Sequence, residues 1–182
     1  MKKIILVVLI ALIGASLYLF PKLCKTNLIN IDNQDSVINN ILQLKGYTSI
    51  NVVKEKKYKD YYAILYYESN SNLDNSKKNL ELAIYKNIDD LKNNYDYYGG
   101  ASSTKDFDTF NCNDKGQETI IIVYGNNQLT KASSYCIESS QNLYKKNIEL
   151  DLILDIYIIY DTNNCSSVNR LLDINEELIE MF

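Results

Sequence analysis

Residues Tyr61–Glu68 read YYAILYYE, a run with its only charge at the end and no glycine or proline. Aromatic and β-branched side chains suit a pleated surface. A run this short, followed by the polar loop SNSNLDNSKKN, predicts a strand. After the loop, Leu80–Lys86 alternates Leu80, Leu82 and Ile84 with Glu81, Ala83 and Tyr85, so the two runs pair as a hairpin with a long connection. Before it, Ser49–Glu55 carries Ile50, Val52 and Val53 and predicts a further strand. The locally basic run Lys54–Lys59 reads as a solvated loop.

The same pattern continues toward the C-terminus. Asn94–Tyr98 and Phe107–Cys112 predict short strands, separated by the flexible stretch Gly99-Gly100-Ala101-Ser102-Ser103. Thr119–Tyr124, TIIIVY, is the strongest buried strand, with a turn at Gly125-Asn126-Asn127 and a return strand over Leu129–Ile137. Leu143–Ile148 is a weaker strand, and Leu150–Tyr160 is a long one that spaces Asp151 and Asp155 among apolar residues. The end reads two ways. Asp173 could cap a helix with Glu176 three residues on, or the chain could turn at Asn175-Glu176 as a hairpin, which the preceding strands favour. One amphipathic helix is expected from Asp35-Ser36 to Gly46, with Val37, Ile38, Ile41 and Leu42 at helical spacing. No repeat and no alternation of strands with helices is present, which argues against a solenoid or a doubly wound sheet. The expected fold is mainly β: an N-terminal transmembrane helix, one short amphipathic helix, then an antiparallel β sandwich or curled half-barrel.

Ile4–Phe20 is an uncharged run, IILVVLIALIGASLYLF, preceded by Lys2 and Lys3 and followed by Pro21. As a helix its 17 residues span about 25 Å, the short end of what crosses a bilayer. Backbone in lipid must satisfy its own hydrogen bonds, so helix is the state expected. With so little chain before it, the N-terminus should stay inside and the rest be exported. Cleavage after the weak small-residue site Gly14-Ala15-Ser16 would instead secrete the chain. A lipoprotein signal is disfavoured because Lys22 lies just before Cys24. The organisation is then a membrane anchor over 1–24, a spacer over 25–34, and a single extracytoplasmic β-rich domain over 35–182.

Composition excludes more than it assigns. The 182 residues contain no histidine and no tryptophan. Ser-His-Asp and Cys-His catalysis and most catalytic zinc sites are therefore ruled out. The net charge is −4, and without residues 1–24, which hold three lysines and no acid, it is −7. With Arg170 as the sole arginine, binding to a nucleic-acid backbone is not expected. The 16 tyrosines, with abundant Asn, Lys and Ile, match the codon bias of an AT-rich bacterial genome.

Cys24, Cys112, Cys136 and Cys165 form no C-x-x-C pair, so no metal is expected. Cys112 and Cys136 are the disulfide candidate, against the alternative that all four stay reduced. Ser102-Ser103-Thr104-Lys105 fits S-x-x-K without its companion motifs. Asn70–Ser76 with Glu81 mimics calcium-loop spacing without the leading Asp or the sixth-position glycine. Asp89-Asp90, Asp106 with Asp108, and Asp151 with Asp155 are the carboxylate pairs a glycosidase would need. The candidate binding residues are aromatic. Tyr61, Tyr62, Tyr66 and Tyr67 divide between two strand faces, one of which is expected to be core, and Tyr97 and Tyr98 flank the glycines. These features suggest a non-enzymatic module, without cofactor, that binds a protein or envelope component. The alternative is a carboxylate-dependent hydrolase of envelope polymers.

Overall fold

The computed structural model describes residues 28–69, 79–88, 93–103, 105–114, 118–138, 143–160 and 168–181. In chain order these form β1 (Ile29–Asn30), α1 (Gln34–Lys45), β2 (Ile50–Tyr58), β3 (Tyr61–Glu68), β4 (Leu80–Asn87), β5 (Asn94–Ser103), β6 (Phe107–Asp114) and β7 (Glu118–Asn126). There follow β8 (Ser134–Glu138), β9 (Leu143–Asn147), β10 (Leu152–Ile159), β11 (Val168–Leu172) and β12 (Leu178–Met181). Three antiparallel sheets result, with strand orders β1-β5-β4-β3-β2, β10-β7-β6 and β12-β11-β8-β9.

The layering explains why YYAILYYE carries no polar face. Tyr61, Ala63, Leu65 and Tyr67 point from β3 into a core shared with Ile120, Ile122 and Tyr124 of β7 and Leu154 and Ile156 of β10. Tyr62, Ile64 and Tyr66 point the other way, under α1, against Val37 and Ile41. Two strands of the second sheet, the central β7 and the edge strand β10, are committed in the same manner. Ile121, Val123 and Ile153 leave the shared core and pack on Tyr135, Ile137 and Leu171 of the third sheet. A strand buried on both faces must be apolar at every position. Burying each large side chain contributes roughly 1.5–3 kcal/mol before the entropy of ordering it is charged. β2 lies beside β10 and β5 beside β6, so the first two sheets curl around their common core as a half-barrel.

α1 begins one residue earlier than the Asp35-Ser36 signal suggests. Asn33 is the N-cap, its side chain accepting from the Ser36 amide at 3.3 Å. Gly46 ends the helix as expected, in the left-handed region at φ 71°, with its amide on Leu42 O. Glu81 of β4 ties this end of the helix to the first sheet. It accepts from the Tyr47 and Tyr66 hydroxyls and pairs with Lys45 at 3.0 Å. The bond to Glu81, with burial, pushes the Tyr47 hydroxyl up to about 12.

Several boundaries differ from the sequence expectation. The basic run Lys54–Lys59 is not a loop: β2 continues to Tyr58. Gly99–Ser103 is not a flexible stretch: β5 runs through it, paired with β4 from Ser103 down to Tyr95 with a bulge opposite Ile84/Tyr85. Gly100 is there because the neighbouring backbone comes too close for a side chain, a Cβ falling 2.4 Å from Leu82 O. Leu129–Ile137 is not the return strand of β7. β7 pairs with β6 and β10, while β8 starts at Ser134 and joins the third sheet. Asn127 redirects the chain, its side chain bonding both the amide and the carbonyl of Ala132 at 2.8 and 2.9 Å. The C-terminal segment is the hairpin rather than the helix, turning at Asp173–Glu177 with Asp173 accepting from the amides of Asn175 and Glu177.

Gly100→Ala should destabilise the fold by roughly 2–3 kcal/mol, because β5 must move away from β4 to admit the methyl group. Urea unfolding of the two proteins, followed by tyrosine fluorescence, checks this.

Candidate functional site

The tyrosines singled out from sequence do not form a ligand face. Tyr61, Tyr62, Tyr66 and Tyr67 are all buried, two on each side of β3. The face expected to be free is covered by α1. Tyr98 is the bulged residue of β5 and packs into the shared core, edge-on to Tyr61 and 3.1 Å from the Cys112 thiol. Tyr97 is the most open of the six, at 37% exposure, and lies edge-on to Tyr85.

The Cys112–Cys136 bridge is also corrected: both are free thiols. Cys112 sits opposite Ile120 and so faces the shared core, whereas Cys136 lies between Lys145 and Arg170 on the outer side of the third sheet. A full layer of side chains separates them. Cys24, Cys165 and the Asp89-Asp90 pair lie outside the described residues, as does most of the calcium-like loop. Its Glu81 is spent on Tyr47, Tyr66 and Lys45. Ser102 and Ser103 lie on a strand, not at a helix start, so the S-x-x-K geometry is not reproduced. Among the described residues no group of three or more His, Cys, Asp or Glu is placed to hold a metal ion. The remaining acidic pairs have partners of their own: Asp106 takes the Thr130 hydroxyl, Asp108 the Tyr124 hydroxyl, and Asp151 the Gln128 amide.

The polar site the structure does build lies where the three sheets meet. β2 and β10 are adjacent edges without a backbone ladder between them, and lysines of β2 and of the turn that follows it bridge the seam. Lys54 Nζ donates to Leu152 O at 2.6 Å, Lys56 Nζ meets Asp155 Oδ1 at 2.5 Å, and Lys59 Nζ donates to the Tyr160 hydroxyl at 2.7 Å. Lys54 and Lys56 stand opposite Leu65 and Ala63, so both are on the inward side of β2. Asp155, opposite Val123, projects toward the third sheet. There Lys146 of β9 reaches the same Oδ1 at 2.6 Å, and the Tyr135 hydroxyl of β8 donates to Oδ2 at 2.7 Å. Having one proton and giving it to Asp155, Tyr135 must accept from Tyr157, 2.6 Å away.

Asp155 is 6% exposed, and burial alone would raise its pKa. The hydrogen bonds from Lys146, Lys56 and Tyr135 outweigh that and hold it below the ordinary carboxylate range. Burial raises the Tyr135 and Tyr157 hydroxyls. Burial also lowers the Lys54 ammonium; Asp155 opposes that, while Lys56 and Lys146 add to it. Beside the carboxylate opens a cleft of about 320 Å³, lined by Lys54, Lys56, Lys146, Glu149 and Asp155 with apolar walls that include Leu150.

Sequence reasoning missed this site. Two signals were present. Lys54 and Lys56 are two apart and so share a strand face, and Asp155 interrupts an otherwise apolar run. Neither signal says that the two segments are neighbours.

No protein-family model matches this chain, and no curated protein or solved structure is significantly similar to it.

Asp155→Asn should cost about 2–4 kcal/mol near neutral pH, because Lys56 and Lys146 then face each other with no carboxylate between them. The groups facing Asp155 are Lys54, Lys56, Lys146, Tyr135 and Tyr157, with Glu149 further along the cleft. Because its folded pKa is depressed, Asp155 stabilises the fold fully above its unfolded value near 3.9, and that contribution disappears as pH falls through the lower folded value. The stability gap between the parent chain and the variant should thus be constant from about pH 5 to 7 and close below about pH 4. Urea midpoints measured across that range check it.

Proposed function

We propose that this chain is a membrane-anchored, extracytoplasmic module that binds another protein and does no chemistry of its own. Among the described residues no helix is long and apolar enough to cross a membrane. The segment Ile4–Phe20, which lies outside them, supplies the anchor in this reading.

The observation that carries the binding role is β12. It is the terminal strand of the third sheet, paired only with β11 among the described residues, and all four of its residues are exposed. Leu178, Ile179 and Met181 are 52%, 42% and 60% exposed, with Ile174 of the preceding turn at 82%. Edge strands are normally blunted by charge, proline or cover, because their open amides and carbonyls accept another strand. β12 carries one charge, Glu180, among the exposed Leu178, Ile179 and Met181, and a largely apolar edge of this kind suits recognition by strand addition, in which the backbone supplies affinity and alternate side chains supply selectivity. The acids singled out from sequence that lie among the described residues are engaged in hydrogen bonds or ion pairs, which also favours a binder over a carboxylate hydrolase.

Affinity capture of the full-length protein, extracted from its own membranes, tests the role. A partner held by the parent chain should be lost from a Leu178→Lys/Met181→Lys variant and kept by Leu129→Lys, which alters an exposed leucine elsewhere. Equal capture by all three would count against β12. The anchor is tested separately. The chain should resist alkaline extraction from membranes and be digested by protease added outside intact cells. Recovery in the culture medium would instead show cleavage after export.

A further inference from the structure

The cleft at the β2–β10 seam holds more positive charge than its structural task requires. One lysine neutralises a buried carboxylate. Here two meet Asp155 through the same oxygen, at 2.5 and 2.6 Å, which places their ammonium groups within about 5 Å of each other. Lys54 is a third, on the same strand face as Lys56, its ammonium held on Leu152 O. The lining thus sets three lysines against Asp155 and Glu149, a local excess of positive charge in a chain whose net charge is −4. Lys56 and Lys146 are 36% and 48% exposed, so both can reach a ligand in the cleft without breaking the core. Asp155 does not oppose a bound anion, because its charge is matched twice over and its second oxygen is taken by Tyr135.

We propose that this cleft is a binding site for a phosphate group, held by Lys54, Lys56 and Lys146. The donor type selects the ligand. Planar carboxylates are best recognised by an arginine fork, and no arginine lines this cleft. Lysines are compact point charges, and ammoniums arriving from β2 and β9, in different sheets, suit a tetrahedral oxyanion whose oxygens point in several directions. A bound phosphate would relieve the repulsion among the three ammonium groups. The volume, about 320 Å³, is at the small end of ligand pockets, and its apolar wall at Ile148, Leu150 and Ile153 can take the organic part of a phosphate ester. That ester could be a soluble metabolite or the headgroup of an anionic lipid, and the site chemistry is common to both.

The test uses the full chain in neutral detergent, titrated with inorganic phosphate or with short-chain phosphatidylglycerol against chloride at matched ionic strength. Phosphate stabilises folded proteins generally by exclusion from their surface, so the readout is the difference between the parent chain and a Lys54→Gln variant. Lys105→Gln, an exposed lysine outside the cleft, is the charge control. The parent and Lys105→Gln should gain Tm with ligand concentration, half-saturating on the order of 1 mM, and Lys54→Gln should need roughly tenfold more ligand or show no specific gain. A response to phosphatidylglycerol with the same variant dependence, and none to inorganic phosphate, would identify the lipid headgroup as the source. A response to inorganic phosphate that phosphatidylglycerol does not exceed would point to a soluble ligand. A Tm response of Lys54→Gln equal to the parent's, or no response beyond chloride, would overturn the proposal.

Discussion

Among the described residues, Asp155 is the one at which all three sheets touch through ion pairs and hydrogen bonds to a charge. It belongs to the second sheet and is held by Lys56 of the first and by Lys146 and Tyr135 of the third. Buried carboxylates are costly unless paired and hydrogen-bonded, and this one is both. The knot matters because the apolar cores are pairwise: one joins the first and second sheets, another the second and third. Hydrophobic contact is non-directional and would tolerate sliding of one layer on the next. A carboxylate with three donors from three strands does not, so the register of the layers is fixed where their cores cannot fix it.

The same seam shows how edges are managed. β2 and β10 lie side by side, yet lysine side chains stand where a backbone ladder would form. Inward-pointing lysines on an edge strand oppose docking of a foreign strand. Here they also take over the bonding that closes the half-barrel, with Lys59 reaching Tyr160 at the far end. On the other flank α1 covers the outer face of the first sheet. Its position is set by apolar contacts through Val37 and Ile41 and by Glu81 beneath its C-terminal end. Glu81 thus does for the helix what Asp155 does for the sheets.

Strand existence was legible in the sequence, as were the hairpins of β3 with β4 and of β11 with β12, whereas the neighbours of the other strands were not. YYAILYYE, TIIIVY and LDLILDIYIIY each announce a strand, because apolar β-formers in short runs have few other stable fates. The C-terminal hairpin and the Gly46 stop were legible for similarly local reasons. Beyond a hairpin, the partner of a strand is decided by which faces remain to be covered, and a single run carries no trace of that. Hence the segment after TIIIVY looked like its hairpin return, while Asn127 sends it to a different sheet. Hence also the tyrosines of β3 looked divided between core and ligand, since nothing local reveals that α1 takes the second face. Gly100 read as flexible because close backbone approach and a loose loop ask for the same residue.

The site was hidden for a further reason. Lys54 and Lys56 are separated from Asp155 by about a hundred positions, and each alone has an ordinary surface explanation. A lysine-rich run in an acidic chain is usually solvated, and an acid in a strand usually faces water. Only closing the half-barrel turns both toward the same space. Contrast β12, whose apolar residues were read in the sequence as hairpin and stay exposed. One pair of edges in this fold is closed by charge at the cost of burying a carboxylate, and another, β12, is exposed and largely apolar among the described residues, with Glu180 its one charge. Protection was available to the chain, since lysines of the same kind stand on β9 at the opposite end of that sheet. The edges of this fold are thus treated differently: lysines close the β2–β10 seam, whereas β12 is exposed and largely apolar among the described residues.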